Sequence, residues 1–220
     1  NNLVAGLRGK QWFGDHIGLG ATYVNEGRQS EDYTLGGLDL TLQAADDSWV
    51  KLEWATSEAT QTERPFSFDG GLSFFNTAPL GTDDRSGDAY SVDIHINAGD
   101  FGGSDRWITN AWYKEVDDQY SVARRDDGNN VFEYGIESHV PIAEDWLLGT
   151  RVSYFEMVDQ YDLTDASIQL QGKLGSRGTL ATELKGTEEN RVGTGSADAV
   201  LLGLQYEHAV TGGLDLYGTG

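Results

Sequence analysis

Four features are scarce or absent in this chain of 220 residues: cysteine, proline, basic side chains and long apolar runs. There is no cysteine, which excludes disulfides and thiolate metal sites. No run of about 18 apolar residues occurs, so no transmembrane helix is available. The N-terminal segment Asn1–Val4 lacks a basic region followed by an apolar stretch, so no signal peptide is visible.

Basic residues are few: 15 Lys and Arg stand against 36 Asp and Glu, for a net charge of −21. Nucleic acid is therefore excluded as a partner, because phosphate binding needs a basic surface. The excess acid is consistent with simple solubility or with recruitment of divalent cations. No EF-hand loop is present, and no residues are assigned to a metal. We expect no cofactor other than, at most, a loosely bound divalent cation such as calcium.

The sequence does contain about a dozen segments in which apolar residues alternate with polar ones. In His16–Tyr23, Ile17, Leu19 and Tyr23 fall on one face of a strand, while glycine and threonine fall on the other. A hydrophobic content of 38% is thin for a solid core but sufficient for a barrel with a wet lumen. The pattern predicts an all-β, antiparallel up-and-down transmembrane β-barrel of about twelve strands.

Short and long connections alternate along the chain. The predicted short turns, rich in Gly, Asp, Ser or Pro, are Gly14–His16, Ala45–Ser48, Gly99–Asp105, Pro141–Asp145, Gly175–Gly178 and Ala209–Gly213. The predicted long connections are Glu26–Asp32, Glu58–Asp88, Val116–Asn130, Val158–Asp165 and Thr187–Asp198. Such asymmetry is typical of outer-membrane barrels, whose short turns are periplasmic. Leu3 is already in rhythm and Leu214–Gly220 stops partway along a strand, so we expect residues 1–220 to be a single barrel domain truncated at one or both ends.

Aromatic residues gather near the strand ends. Two girdles at the membrane interfaces are predicted, although aromatics also simply favour strands. The predicted interface residues are Trp12, Trp49, Trp107, Trp146, Tyr23, Trp54, Tyr90 and Tyr154.

The positions between the apolar ones are predicted to line the lumen. Seven are basic and eight acidic, so we expect a nearly neutral lumen, either open and weakly selective or cross-linked and closed. The predicted lumen-lining residues are Arg8, Lys10, Asp39, Lys51, Glu53, Asp93, His95, Lys114, Glu133, Glu137, His139, Arg151, Lys173, Glu183, Lys185 and Glu207, with Asp215 completing the acidic set.

The connection Glu58–Asp88 is long enough to fold inward. Its aromatic residues Phe66, Phe68, Phe74 and Phe75 are too apolar for water, so the segment is predicted to constrict the lumen or to dock on a partner. Local packing within the loop is the alternative.

Catalysis is not predicted. His95 shares a strand face with Asp93, and His139 with Glu137, and such pairs can position a base. No serine stands out as a nucleophile, however, and no Gly-x-Ser-x-Gly, phosphate-loop or zinc motif is present. We therefore expect a protein that is not an enzyme, with a barrel hydrolase as a distant alternative.

Four segments in the first third of the chain form a recognisable set: Trp12–Gly20 (WFGDHIGLG), Leu38–Leu42 (LDLTL), Lys51–Glu58 (KLEWATSE) and Asp69–Phe74 (DGGLSF). With these segments, this part of the chain resembles the C-terminal barrel region of large Gram-negative outer-membrane surface proteins. It implies an outer-membrane barrel with a porin-like architecture, and not a specific cargo. Such barrels usually end in an aromatic residue, which Gly220 is not.

These observations predict a barrel in the outer membrane of a Gram-negative bacterium. It would act as a porin-like channel or as the membrane-embedded module of a larger surface assembly. The expected partners are outer-membrane lipid and lipopolysaccharide, with further chains in a larger assembly. The alternative from another class is a soluble, acidic, β-rich cell-surface or adhesin domain that binds calcium. The transported solute, the full strand count and the oligomeric state are left open.

Overall fold

The computed structural model describes residues 3–27, 33–60, 64–66, 75–77, 84–121, 128–210 and 214–219. Fourteen strands and one short 3-10 helix, Ala98–Phe101, make up its regular structure. The strands are β1 Val4–Phe13, β2 Ile17–Glu26, β3 Tyr33–Ala45, β4 Ser48–Thr60, β5 Arg64–Phe66, β6 Phe75–Thr77, β7 Asp84–Asn97, β8 Ile108–Val116, β9 Val131–Ala143, β10 Trp146–Met157, β11 Tyr161–Leu174, β12 Gly178–Arg191, β13 Gly195–Val210 and β14 Leu214–Thr219.

Twelve of these strands form one sheet in which spatial order follows chain order. Each strand is antiparallel to the next, and β4 pairs directly with β7. The predicted all-β, antiparallel, up-and-down arrangement is confirmed, together with all six predicted hairpins. Strands β5 and β6 form a separate two-stranded hairpin within the long connection between β4 and β7, which the sequence did not predict.

Two of the predicted long connections, Val158–Asp165 and Thr187–Asp198, are wrong. Strands β10 and β11 are joined by three residues, 158–160, and strands β12 and β13 by another three, 192–194. Both turns use left-handed backbone: Asp159 has φ 61°, and Gly193 has φ 85°. Glycine adopts such angles without a steric penalty, and aspartate tolerates them better than most residues do.

The strands extend through these segments because polar side chains pair across them. Thr187 donates a hydrogen bond from Oγ1 to Asp165 Oδ1 at 2.6 Å, and Asn190 donates from Nδ2 to Asp162 Oδ1 at 2.9 Å. Both faces are polar here, so hydrophobic alternation gave no signal for strand structure. Strands β11 and β12 reach 14 residues each, against 10 in β1 and β2.

The two faces of the sheet have unusual exposure. In β3, Asp39 and Thr41 are 7% and 8% exposed, whereas Leu38 and Leu42 on the other side are 56% and 39% exposed. We call the side that carries Asp39 the polar face and the side that carries Leu38 the apolar face. Strand alternation and the register extend both faces across the sheet.

A solid hydrophobic core is missing from the described part of the chain. Only two apolar residues there, Tyr33 and Val131, are buried. The accessible surface is 14602 Å². A compact protein of this mass would expose roughly 9,900 Å². The described sheet is therefore a single layer whose apolar side is exposed.

Candidate functional site: the polar face

The polar face is internally neutralised. Each of the seven basic residues predicted to line a lumen forms an ion pair with a carboxylate. The pairs are Arg8–Asp39 (3.6 Å), Lys10–Asp39 (3.8 Å), Lys51–Glu53 (2.6 Å), Lys114–Glu133 (3.8 Å), Arg151–Glu137 (3.6 Å), Lys173–Asp145 (3.0 Å) and Lys185–Asp165 (3.2 Å). Asp165 and Asp145 are partners that the sequence did not single out. A face built this way carries little net charge to attract ions of either sign.

Glycine makes room for the pairs around Asp39. Lys10, Gly20 and Asp39 lie side by side on β1, β2 and β3. A Cβ atom on Gly20 would lie 2.1 Å from Asp39 Oδ1, so the carboxylate occupies the space that a side chain would take. Lys10 reaches over this glycine and also donates a hydrogen bond to Thr41 Oγ1 at 3.0 Å. Because Gly20 has no side chain, the charged groups of Lys10 on β1 and Asp39 on β3 come into contact across β2.

A second network crosses five strands from β4 to β10. Asn110 Nδ2 donates to Glu137 Oε1 at 3.1 Å, and Glu137 pairs with Arg151. With its amide nitrogen committed, Asn110 accepts through Oδ1 from His95 Nδ1, at 2.6 Å. The ring of His95 stacks on Trp49 with 5.7 Å between centroids. His95 is thereby held as the tautomer that carries its proton on Nδ1.

Trp112 is a member of the polar face that the sequence did not reveal. The Arg151 guanidinium lies 5.0 Å from the centre of its ring, a cation–π contact. The ring covers Gly135 of β9, where a Cβ would come within 2.4 Å of it. The pairing of tryptophan with glycine on the next strand is a signal visible only once the register is known.

The remaining predicted residues have simpler settings. Asp93 lies on β7 opposite Lys51 and Trp112, and Glu183 lies on β12 opposite Gln169 and Gly203.

Glu207 accepts a hydrogen bond from Gln205 Nε2 at 2.8 Å, and His139 lies over Gly149. The predicted pairs Asp93–His95 and Glu137–His139 share a face as expected. The described hydrogen bonds, however, join His95 and Glu137 through Asn110 instead.

The predicted interface aromatics divide between the two faces. Trp54, Tyr90, Tyr23 and Tyr154 lie on the apolar face. Trp12 and Trp49 lie on the polar face, where Lys10 sits 5.1 Å from the Trp12 ring centre. Trp12 and Trp49 therefore do not lie on the same surface as Trp54, because strand residues an odd number of positions apart point to opposite faces of the sheet.

Trp146 belongs to the apolar side, over Gly172. Trp107, which is 45% exposed, comes one residue before β8.

A row of tyrosines crosses the apolar face in register. Tyr113 of β8 faces Tyr134 of β9, which faces Tyr154 of β10 with 5.1 Å between ring centroids. Tyr113 donates its hydroxyl proton to Glu115 at 2.7 Å, and Tyr154 donates to Glu156 at 3.2 Å. The row thus marks the boundary between uncharged and acidic parts of this face.

The connection after β8 lies on the polar face. We call its residues Asp117–Ser121 the strap. Ser121 N–H donates to Ser57 Oγ on β4 at 2.8 Å, and Tyr33 Oη on β3 donates to the Ser121 carbonyl at 3.0 Å. The sequence instead predicted that the connection Glu58–Asp88 folds inward to constrict the lumen or docks on a partner.

Within that other connection, Phe66 and Phe75 are opposite each other in the register of the β5–β6 hairpin. Phe68 and Phe74 lie outside the described residues.

Comparison with known proteins gives no family for this chain. No family model matches the chain, and no curated protein matches it in sequence. The described residues contain neither a helix long and apolar enough to cross a membrane nor a cluster of three or more His, Asp or Glu arranged for a metal ion.

Proposed function

We propose that this chain forms the wall of a transmembrane β-barrel in the outer membrane of a Gram-negative bacterium. It would serve as a porin-like channel or as the membrane module of a larger surface assembly. The observation that carries the proposal is the inversion of the two faces. Apolar side chains are exposed on one face, whereas on the other face the charged side chains are paired, and Asp39 is only 7% exposed.

The apolar face supports lipid as its surroundings. Leu52, Ile136, Val152, Ile168 and Leu184 are 36% to 52% exposed on one continuous side of the sheet. A soluble protein rarely exposes a contiguous apolar patch of more than a few hundred Å². From Phe13 and Ile17 to the tyrosine row, the register brings no charged residue onto this face.

The dimensions of the apolar band agree with a bilayer. On β9 the band runs from Tyr134 to Ile142, roughly 27 Å along a strand that rises about 3.4 Å per residue. Strand tilt reduces this toward the ~25 Å height of the apolar band of outer-membrane barrels. Tyrosines that hydrogen-bond to Glu115 and Glu156 suit an interface, where one end of the side chain is apolar and the other is wet.

The polar face supports a passage with weak ion selectivity. Because the seven cations predicted to line the lumen are already paired, the described strands offer little unpaired positive charge to act as a strong filter. Most of these pairs join different strands, so a closed scaffold would use them equally well. On this proposal the outer partners are membrane lipid and lipopolysaccharide, with the longer connections on the lipopolysaccharide side.

The experiment is insertion into planar bilayers, with single-channel current as the readout. Stable current steps with a small reversal potential in a salt gradient support a weakly selective channel. Insertion into vesicles without current favours the scaffolding module. A protein that stays dispersed without detergent and binds calcium would overturn the membrane proposal in favour of the acidic surface domain.

A further inference from the structure

We propose that the strap, Asp117–Ser121, is the constriction of the passage and is held in place by its contacts with β3, β4 and β7. This inference rests on the proposed channel function. It assigns a narrowing role to a segment that sequence reasoning passed over.

The strap reaches far from the strand that it follows. It leaves β8, whose neighbour in the sheet is β7, and its last described residue contacts β4 and β3. From β8 to β4 is two strand spacings of about 4.8 Å, roughly 10 Å across the polar face, and the Tyr33 side chain reaches Ser121 from β3. The strap therefore lies over β7 and reaches β4.

Two buried hydroxyl groups hold the far end of the strap. Ser57 is 1% exposed and accepts from the Ser121 amide, while Tyr33 is 7% exposed and donates to the Ser121 carbonyl. The strap backbone is therefore bound through both its donor and its acceptor, as a neighbouring strand would be. A loop that only lay near the sheet would leave the hydroxyl groups of Ser57 and Tyr33 exposed to water.

The wall is shaped to receive the strap at Gly87 of β7. A Cβ on Gly87 would lie 2.2 Å from Tyr120 N and 2.4 Å from the Gln119 carbonyl carbon. These are backbone atoms, which cannot rotate away as a flexible side chain would. The docked position thus requires glycine at 87.

The near end of the strap is a preformed turn. Asp117 N–H donates to the Asp88 carbonyl at 2.9 Å, and Asp117 in turn accepts from Gln119 N–H through Oδ1 at 2.9 Å and from Tyr120 N–H through its carbonyl at 3.0 Å. Arg85 on β7 donates to the Asp118 carbonyl. A rigid turn with an anchored tip is suited to hold one position against a flow of solute.

The test compares Gly87→Ala with Gly186→Ala in planar bilayers. Gly186 is also a strand glycine, but a Cβ there meets nothing within 4 Å. We expect Gly87→Ala to raise the unit conductance on the order of twofold, because the geometry of the pore lining sets the current, and Gly186→Ala to match wild type. Equal conductance in all three proteins, with wild type conducting, overturns the inference while the channel proposal stands.

A second measurement covers the case in which Gly87→Ala does not fold. The chain has no cysteine, so the double variant Ser57→Cys, Ser121→Cys forms at most one disulfide within a molecule. We expect it to cross-link on oxidation and to have a lower unit conductance when oxidised than after reduction, because the disulfide takes the place of the lost hydrogen bond to Ser57. Failure to cross-link shows that the strap is not docked and overturns the inference. Absence of current from every protein, wild type included, overturns the channel proposal and the constriction with it, even where the cross-link forms.

Discussion

The strands from β3 to β9 and those from β10 to β13 follow the same alternation but leave their polar faces in different states. In the first group the strap packs on the polar face near the start of β3 and the end of β4, and Tyr33, Ser57 and Val131 are buried. In the second group three-residue turns replace long connections, and the strands continue as extended hairpins. The described polar side chains there pair within a strand, as in Gln205 with Glu207, or across neighbouring strands, as in Thr187 with Asp165.

The difference shows that alternation determines which residues share a face but not what covers that face. The apolar sides of both groups carry exposed aliphatic and aromatic side chains. Their polar sides differ because, among the described residues, the strap folds back against the first group. Any narrowing of a passage would therefore lie against the first group.

The largest expected effect tests whether both groups face lipid. Leu52→Arg on β4 and Leu184→Arg on β12 place a charge on the apolar face of each group. Each should lower the free energy of unfolding from lipid vesicles by about 2–4 kcal/mol, the cost of arginine near the midplane. Urea titration of the vesicle-bound protein measures this, with Lys51→Arg as the control on the polar face. A loss in only one group would break the symmetry of the apolar face.

A smaller effect concerns the glycines of the polar face. Gly20→Ala should cost about 1–3 kcal/mol, since its Cβ collides with the Asp39 carboxylate and overpacking is penalised in this range. Gly203→Ala on β13 should leave stability within about 0.5 kcal/mol of wild type, because its nearest neighbour is Glu183 Cβ at an ordinary 3.8 Å. The measurement is the urea midpoint of unfolding of each variant in the same lipid. Equal losses would show that the crowding around Gly20 does not make it more sensitive than an uncrowded strand glycine.

The cross-strand networks should be of moderate and similar importance in the two groups. Asn110→Ala removes the link between His95 and Glu137 and should cost about 1–2 kcal/mol. Thr187→Val removes one hydrogen bond to Asp165 and should cost about 1 kcal/mol. Thr182→Val, on the apolar side of the same strand, is the control. A loss for Thr187→Val no larger than for this control would mean that the pair contributes nothing in the second group.

The smallest effect is expected at the exposed end of the sheet. Lys173 pairs with Asp145 at 3.0 Å, but their side chains are 65% and 49% exposed. Lys173→Ala should change the free energy of unfolding by at most about 1 kcal/mol, and less at high salt. Denaturation at two ionic strengths checks this. A larger loss that salt does not reduce would show that this pair is shielded from water.

Prediction from sequence succeeded wherever apolar and polar residues alternated strictly. Val50, Leu52 and Trp54 on β4 have that period, and the strand, its face and its partners follow from it. It failed at Glu188 and Asn190, where both faces are polar and the strand is defined by pairing with β11. The aromatic residue Trp112 was missed because its packing partner, Gly135, is 23 positions away in the sequence.

The sequence by itself determined the strands, the two faces and the near balance of charge on one of them. Each of these depends on local alternation, which is a property of neighbouring residues. Only the tertiary structure decided which carboxylate neutralises each cation, that glycines such as Gly20 make room for those contacts, and that the strap extends from β8 over β7 to contact Ser57 and Tyr33. Most of these contacts join residues that are distant in the sequence, up to 88 positions for Tyr33 and Ser121, and their geometry is set by the register of the sheet and not by any local pattern.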